Sequence, residues 1–106
     1  MTRGVATTFD VYTDREWAVV HFLQPSAPPL PSVIPGVVSL SVGNGFSELI
    51  QVAVTSADVG GHAPWTFTIP SSLFVFGSWS FEVVAFDPNN LVAPLAVSGA
   101  RTVPIF

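Results

Sequence analysis

The stretch Ser78-Trp79-Ser80-Phe81-Glu82-Val83-Val84-Ala85-Phe86-Asp87-Pro88-Asn89-Asn90 decides the fold. Trp79, Phe81, Val83 and Ala85 recur at every second position, the period of a strand that lays one face on a core. Asp87-Pro88-Asn89-Asn90 ends it, because Asp and Asn side chains fold back on their own turn and Pro fixes φ. Val84 and Phe86, in the opposite phase, are apolar as well, so this strand offers hydrophobic groups to both faces.

Working outward, the same grammar repeats. Val5–Tyr12 and Glu16–Gln24 read as strands, the second with Trp17, Val19, His21 and Leu23 on one face and Ala18, Val20 and Phe22 on the other. Residues 24–36 hold Pro25, Pro28, Pro29, Pro31 and Pro35; such a segment is extended and cannot serve as a central strand. Val37–Gly43 alternates, and Asn44-Gly45 supplies the positive φ of a tight hairpin into Ser47–Thr55, with Ile50, Val52 and Val54 facing the core. Ser56–Ala63 reads as a loop that contains His62, and Trp65, Phe67 and Ile69 as the next half-buried strand. Leu91–Val97 and Arg101–Ile105 close the chain, and Pro94 and Pro104 place them at a sheet edge. About seven or eight short strands with no helical periodicity predict a single all-β domain over residues 1–106: an antiparallel β-sandwich, with a small β-barrel as the alternative.

Composition narrows the function. Of 106 residues 49% are hydrophobic and only 9% charged, where globular domains carry about 25% charge. The net charge is -4, and the three basic residues, Arg3, Arg15 and Arg101, are scattered. Phosphate neutralisation on nucleic acid and attraction to an anionic membrane both need clustered positive charge, so neither partner is expected. Pro and Gly break every long uncharged run, which argues against a membrane helix. There is no Cys, hence no disulfide framework and no thiolate zinc site. The opening residues contain no hydrophobic secretion segment, so the expectation is a protein assembled in the host cytoplasm.

No catalytic constellation emerges. His21 sits among apolar strand residues and reads as a packed histidine. Asp58-Val59-Gly60-Gly61-His62 brings a carboxylate near an imidazole, but a metal site needs three or four ligands. Asp87, Asn89 and Asn90 are explained by turn chemistry rather than by Ca²⁺, and Asp14 and Glu16 by a solvated turn. No serine sits in a nucleophile elbow. The expectation is therefore no enzyme activity, no cofactor and no metal. Pro25-Ser26-Ala27-Pro28 and Pro28-Pro29-Leu30-Pro31 lack the basic flank of a typical PxxP ligand; a stiff crossover, or an arm lying on a neighbour, fits better.

Trp65-Thr66-Phe67-Thr68-Ile69-Pro70, Leu73 and the run Gly77–Asn90 together resemble the second half of bacterial and phage immunoglobulin-like domains. Trp79 stands where the corner residue of that family is commonly Tyr, so the hydroxyl bond of a tyrosine corner is not available. The resemblance implies a binding or scaffolding role, and its natural setting is a tailed-phage virion, as a capsid decoration or a tail, baseplate or fibre accessory. Leu73-Phe74-Val75-Phe76 strengthens the assembly reading, because alternation buries only half of such a run in the domain's own core. Leu73, Phe74, Val75, Phe76, Val20 and Phe22 are the expected interface residues, with other protein subunits of a symmetric homo-oligomeric assembly as partners. The alternative is that the Pro-rich segment covers this second face from within the chain. A carbohydrate- or surface-binding module is the rival function, since exposed aromatics make stacking platforms; Trp17, Trp65 and Trp79, however, all occupy core-like positions.

Overall fold

The computed structural model of the protein describes residues 1–72, 77–92 and 94–106, and every regular element in it is a strand. These are β1 (Thr7–Tyr12), β2 (Ala18–Gln24), β3 (Ser32–Ile34), β4 (Val38–Leu40), β5 (Ile50–Ser56), β6 (His62–Phe67), β7 (Ser78–Phe86), β8 (Ala96–Val97) and β9 (Arg101–Pro104). The central sheet runs β5-β2-β7, and β8 and β9 share the far edge of β7. β1 and β6 form a separate antiparallel pair, and β3 and β4 a small hairpin. The sheets stay open and separate, so the fold is a layered antiparallel sandwich and not a closed barrel.

The core lies between the β1–β6 pair and the central sheet. Leu23, Ile69, Trp79, Phe81 and Ile105 are buried there, with Phe9, Trp65 and Phe67 packed against them. The rings interlock at centroid distances of 4.9 Å (Phe9–Phe81), 5.1 Å (Trp65–Phe67) and 5.5 Å (Phe9–Trp65), within the range in which aromatic pairs attract. A second cluster, Val19, Ala57, Ala63 and Ala85, extends the core towards the Tyr12 end of β1. At the other end the Met1 ammonium donates to the Pro104 carbonyl, Phe106 N–H to Met1 and Arg3 N–H to Phe106.

Three expectations are corrected. The hairpin turn is not at Asn44-Gly45: Pro35 and Gly36 (φ 75°) turn β3 into β4, and Val37 N–H donates to Ile34 C=O. Asn44, Gly45 and Phe46 do take positive φ (48°, 62° and 69°), but they make a loop that leads β5 to β2. The proline segment is extended as expected, yet Ser32–Ile34 finds a partner at the periphery. His62 belongs to β6, opposite Tyr12, and not to a loop. Thr13 N–H donates to Gly61 C=O, so ladder bonds fall at Ala63 and Trp65, and Pro64 directs its missing N–H away from β1 at no cost. Lastly, a bulge opposite His21/Phe22 turns β5 over midway: Val52 packs on the core but Val54 faces outward, opposite Val20.

Candidate interaction surfaces

The outer face of the central sheet carries both described members of the expected interface. Val20 pairs with Val54 on one side and with Val84 on the other, and Val84 pairs with Val97. Directly opposed residues share a face, so four valines from four strands stand in one row. Val84 is buried at 6% exposure and Val20 is half-buried, whereas Val54 (58%) and Val97 (39%) lie open. Phe22 and Phe86, also half-buried, flank the row. The run Leu73, Phe74, Val75 and Phe76 lies outside the described residues.

The other half of this face is polar and closed. Gln24, Ser80 and Glu82 are buried beneath residues 26–43, so the Pro-rich segment folds back on its own sheet. Gln24 is the hub. Its Oε1 accepts the N–H groups of Leu30 and Gly43, and its Nε2 donates to Ser26 Oγ and Pro28 C=O. Ser80 Oγ donates to Ser26 C=O, and Ser41 N–H donates to Glu82 Oε1 at 2.7 Å. The arm therefore covers part of the outer face and leaves the two ends of the valine row, Val54 and Val97, open.

Glu82 is 2% exposed and its Oε2 has no partner. Burial raises its pKa above the usual 4.5, against the opposing pull of the Ser41, Val42 and Gly99 amides. A raised folded-state value means that stability is full below about 4.5 and is lost as pH rises through the folded value. Glu82→Gln removes the charge and keeps an acceptor for Ser41. Urea titrations at pH 4 and pH 7 should show the variant gaining on the parent as pH rises; a parent that gains instead would refute the burial argument.

On the outer side of the β1–β6 pair, the His62 ring meets Asp10 Oδ1 at 2.8 Å and stacks on Tyr12 at 4.9 Å. Tyr12 is 76% exposed. Asp58 Oδ1 accepts the N–H groups of His62 and Gly60, which lowers its pKa, with a lesser contribution from the His62 charge. Asp87 caps its own turn by accepting Asn89 N–H. His21 is buried against Trp65 and meets Thr55 Oγ1 at 3.2 Å, and burial lowers its pKa. Among the described residues no group of three or more His, Asp and Glu could hold a metal ion. Trp79 is buried, while Trp17 and Trp65 are half-buried and packed on the core clusters.

The Asp10–His62–Tyr12 group escapes a linear reading, since its members meet only through the β1–β6 register. Val54 and Val97 escape it because the bulge and the β7–β8 pairing put them in line with Val20. Comparison with known protein families, curated proteins and solved structures gives no match.

Proposed function

We propose that this chain is a non-enzymatic assembly domain that works by burying the outer face of its central sheet against other protein subunits. The observation that carries the reading is the valine row, open at Val54 and Val97 on a chain with only 9% charged residues. Exposed apolar side chains on a sheet face of this kind suit a protein interface. A symmetric homo-oligomer is the simplest use of one such patch. The immunoglobulin-like resemblance points to a tailed-phage particle as the setting, and mass spectrometry of purified particles tests that part separately.

Light scattering coupled to size exclusion, over a hundredfold concentration range, tests the interface. The parent chain is expected to give a defined oligomer, and Val54→Lys to weaken it by about a hundredfold, or ~2.7 kcal/mol, as a buried interface charge would. Val54 is open in the isolated chain, so at dilutions where the parent is monomeric the variant should keep the parent's unfolding midpoint. A parent that stays monomeric throughout would overturn the reading.

A second reading, a carbohydrate-binding module, is favoured by exposed Tyr12, stacked on His62 with Asp10 beside it. An aromatic face flanked by hydrogen-bonding groups suits a sugar ring. Chemical-shift changes at Tyr12 and His62 across a glycan panel, lost in Tyr12→Ala, would support it; no change with any glycan would remove it.

A further inference from the structure

We propose that the groove beside β1 is the acceptor site for one extended strand of a partner protein, a segment with apolar residues at alternate positions and a carboxylate placed over Arg101. The inference deepens the assembly reading but stands on a different surface from the valine row.

The two layers are unequal. Among the described residues, only β1 and β6 lie above the central sheet with its β5, β2, β7 and β8/β9 edge. Beside β1 this leaves a groove over β7, made of two cavities of about 640 and 280 Å³. They are continuous, since both touch Asp10, Val11, Val83 and Ser98. The floor is apolar, with Phe81, Val83 and Ala85, and residues 96–101 form the far wall.

The near wall identifies the occupant. In β1 the ladder to β6 uses the backbone of Thr7, Phe9, Val11 and Thr13, as the Thr13–Gly61 bond fixes. The N–H and C=O groups of Thr8, Asp10 and Tyr12 therefore point into the groove, and among the described residues no strand pairs with them. Among protein partners another extended backbone matches an alternating row of donors and acceptors, and its inward side chains would pack on Val83, the half-buried part of the floor. Strand addition thus completes both the hydrogen bonds and the missing layer.

Charge sets the rest. Asp10 is matched by His62 on the outer side of the pair. Arg101 lines the groove opposite Phe81 and has no acidic partner among the described residues. Of the charged side chains along the groove, Asp10 is bound to His62 and Glu82 accepts Ser41 N–H, so Arg101 is the one left to attract an opposite charge, and it favours a strand with a carboxylate at that end. A second copy pairing edge to edge through β1 would instead bring two Asp10 carboxylates into one short stretch.

The test tethers a probe strand, Val-Thr-Val-Thr-Val-Thr-Glu, to Phe106 through a flexible Gly/Ser linker of about 20 residues, which gives millimolar effective concentration. Running it in Val54→Lys keeps the outer face out of play. Amide exchange at Thr8, Asp10 and Tyr12 should slow at least tenfold relative to the linker alone. A version with Pro at the Thr positions should give no protection, and Arg101→Glu should switch the preference to a strand ending in Lys. Absence of slowing, equal slowing with the Pro strand, or indifference to the charge swap would overturn the proposal. So would protection in the untethered chain that grows with its concentration, which would assign the groove to a second copy. Light scattering of Val54→Lys reads the valine row independently, so each surface can fail alone.

Discussion

Replacing Gln24 by Ala is expected to cost about 3–5 kcal/mol and to release the arm over residues 25–43 from the sheet. Gln24 is fully buried at the end of β2, and its amide holds groups of four residues of the arm: Ser26, Pro28, Leu30 and the buried Gly43. Truncation leaves the Leu30 and Gly43 N–H groups without an acceptor, at about 1–3 kcal/mol for each one that stays dry, and adds a cavity. The five prolines of the segment make few ladder bonds of their own, so nothing local replaces the lost ones. Urea denaturation reads the loss. Limited proteolysis reads its location, with cleavage expected within 25–43 before any other site. A loss below about 1 kcal/mol, within the range of ordinary surface changes, would mean that the arm is held by its apolar contacts and that the amide is incidental.

That hub also shows what a linear reading reaches. The alternation of Val19, His21 and Leu23 placed β2 correctly, and Trp79, Phe81 and Ala85 do lie in the core. Period-two patterning survives because neighbouring strands impose the same period. Gln24 carried no signal: a glutamine beside a proline reads as the end of a strand, and its value comes from chain segments up to 19 residues away. Val54 was placed on the wrong face because one bulge inverts every residue after it, and no residue in Ile50–Ser56 announces a bulge. Asn44-Gly45 did supply positive φ, but Pro35-Gly36 formed the hairpin first, closer to the strands it joins. Of the expected interface, Val20 and Phe22 sit on the outer face as read, and their company on that face came from the register alone.

The two surfaces differ in what a partner would gain. The valine row offers side chains over a satisfied backbone, so affinity there depends on apolar area and falls to a single charge. The groove offers unsatisfied backbone, so its occupant is chosen first by conformation and only then by sequence. In the proposed assembly role the two would complement each other, because strand addition fixes direction and register where a flat apolar face does not.

Gly61→Ala should cost about 3 kcal/mol and loosen the end of β1 that forms the groove wall, through backbone strain and a backbone collision. Gly61 is buried with φ 81°, and a Cβ there would run into the Thr13 carbonyl oxygen, a main-chain atom with no rotamer to escape through. Thr13 and Gly61 also share the ladder bond that closes the β1–β6 pair. Gly36→Ala is the internal control: its φ of 75° is nearly the same, but a Cβ there meets nothing within 4 Å, so it should cost only the conformational term of about 1 kcal/mol. The difference between the two, measured by urea denaturation, isolates the collision, and faster amide exchange at Val11 should accompany Gly61→Ala alone. Equal losses would mean that the turn, and not the approach of β1, sets the requirement. Gly61 of Asp58-Val59-Gly60-Gly61-His62 is then to be understood through Thr13: within the segment that brings a carboxylate near an imidazole in the sequence, it is the place where the chain leaving β1 passes too close for any side chain.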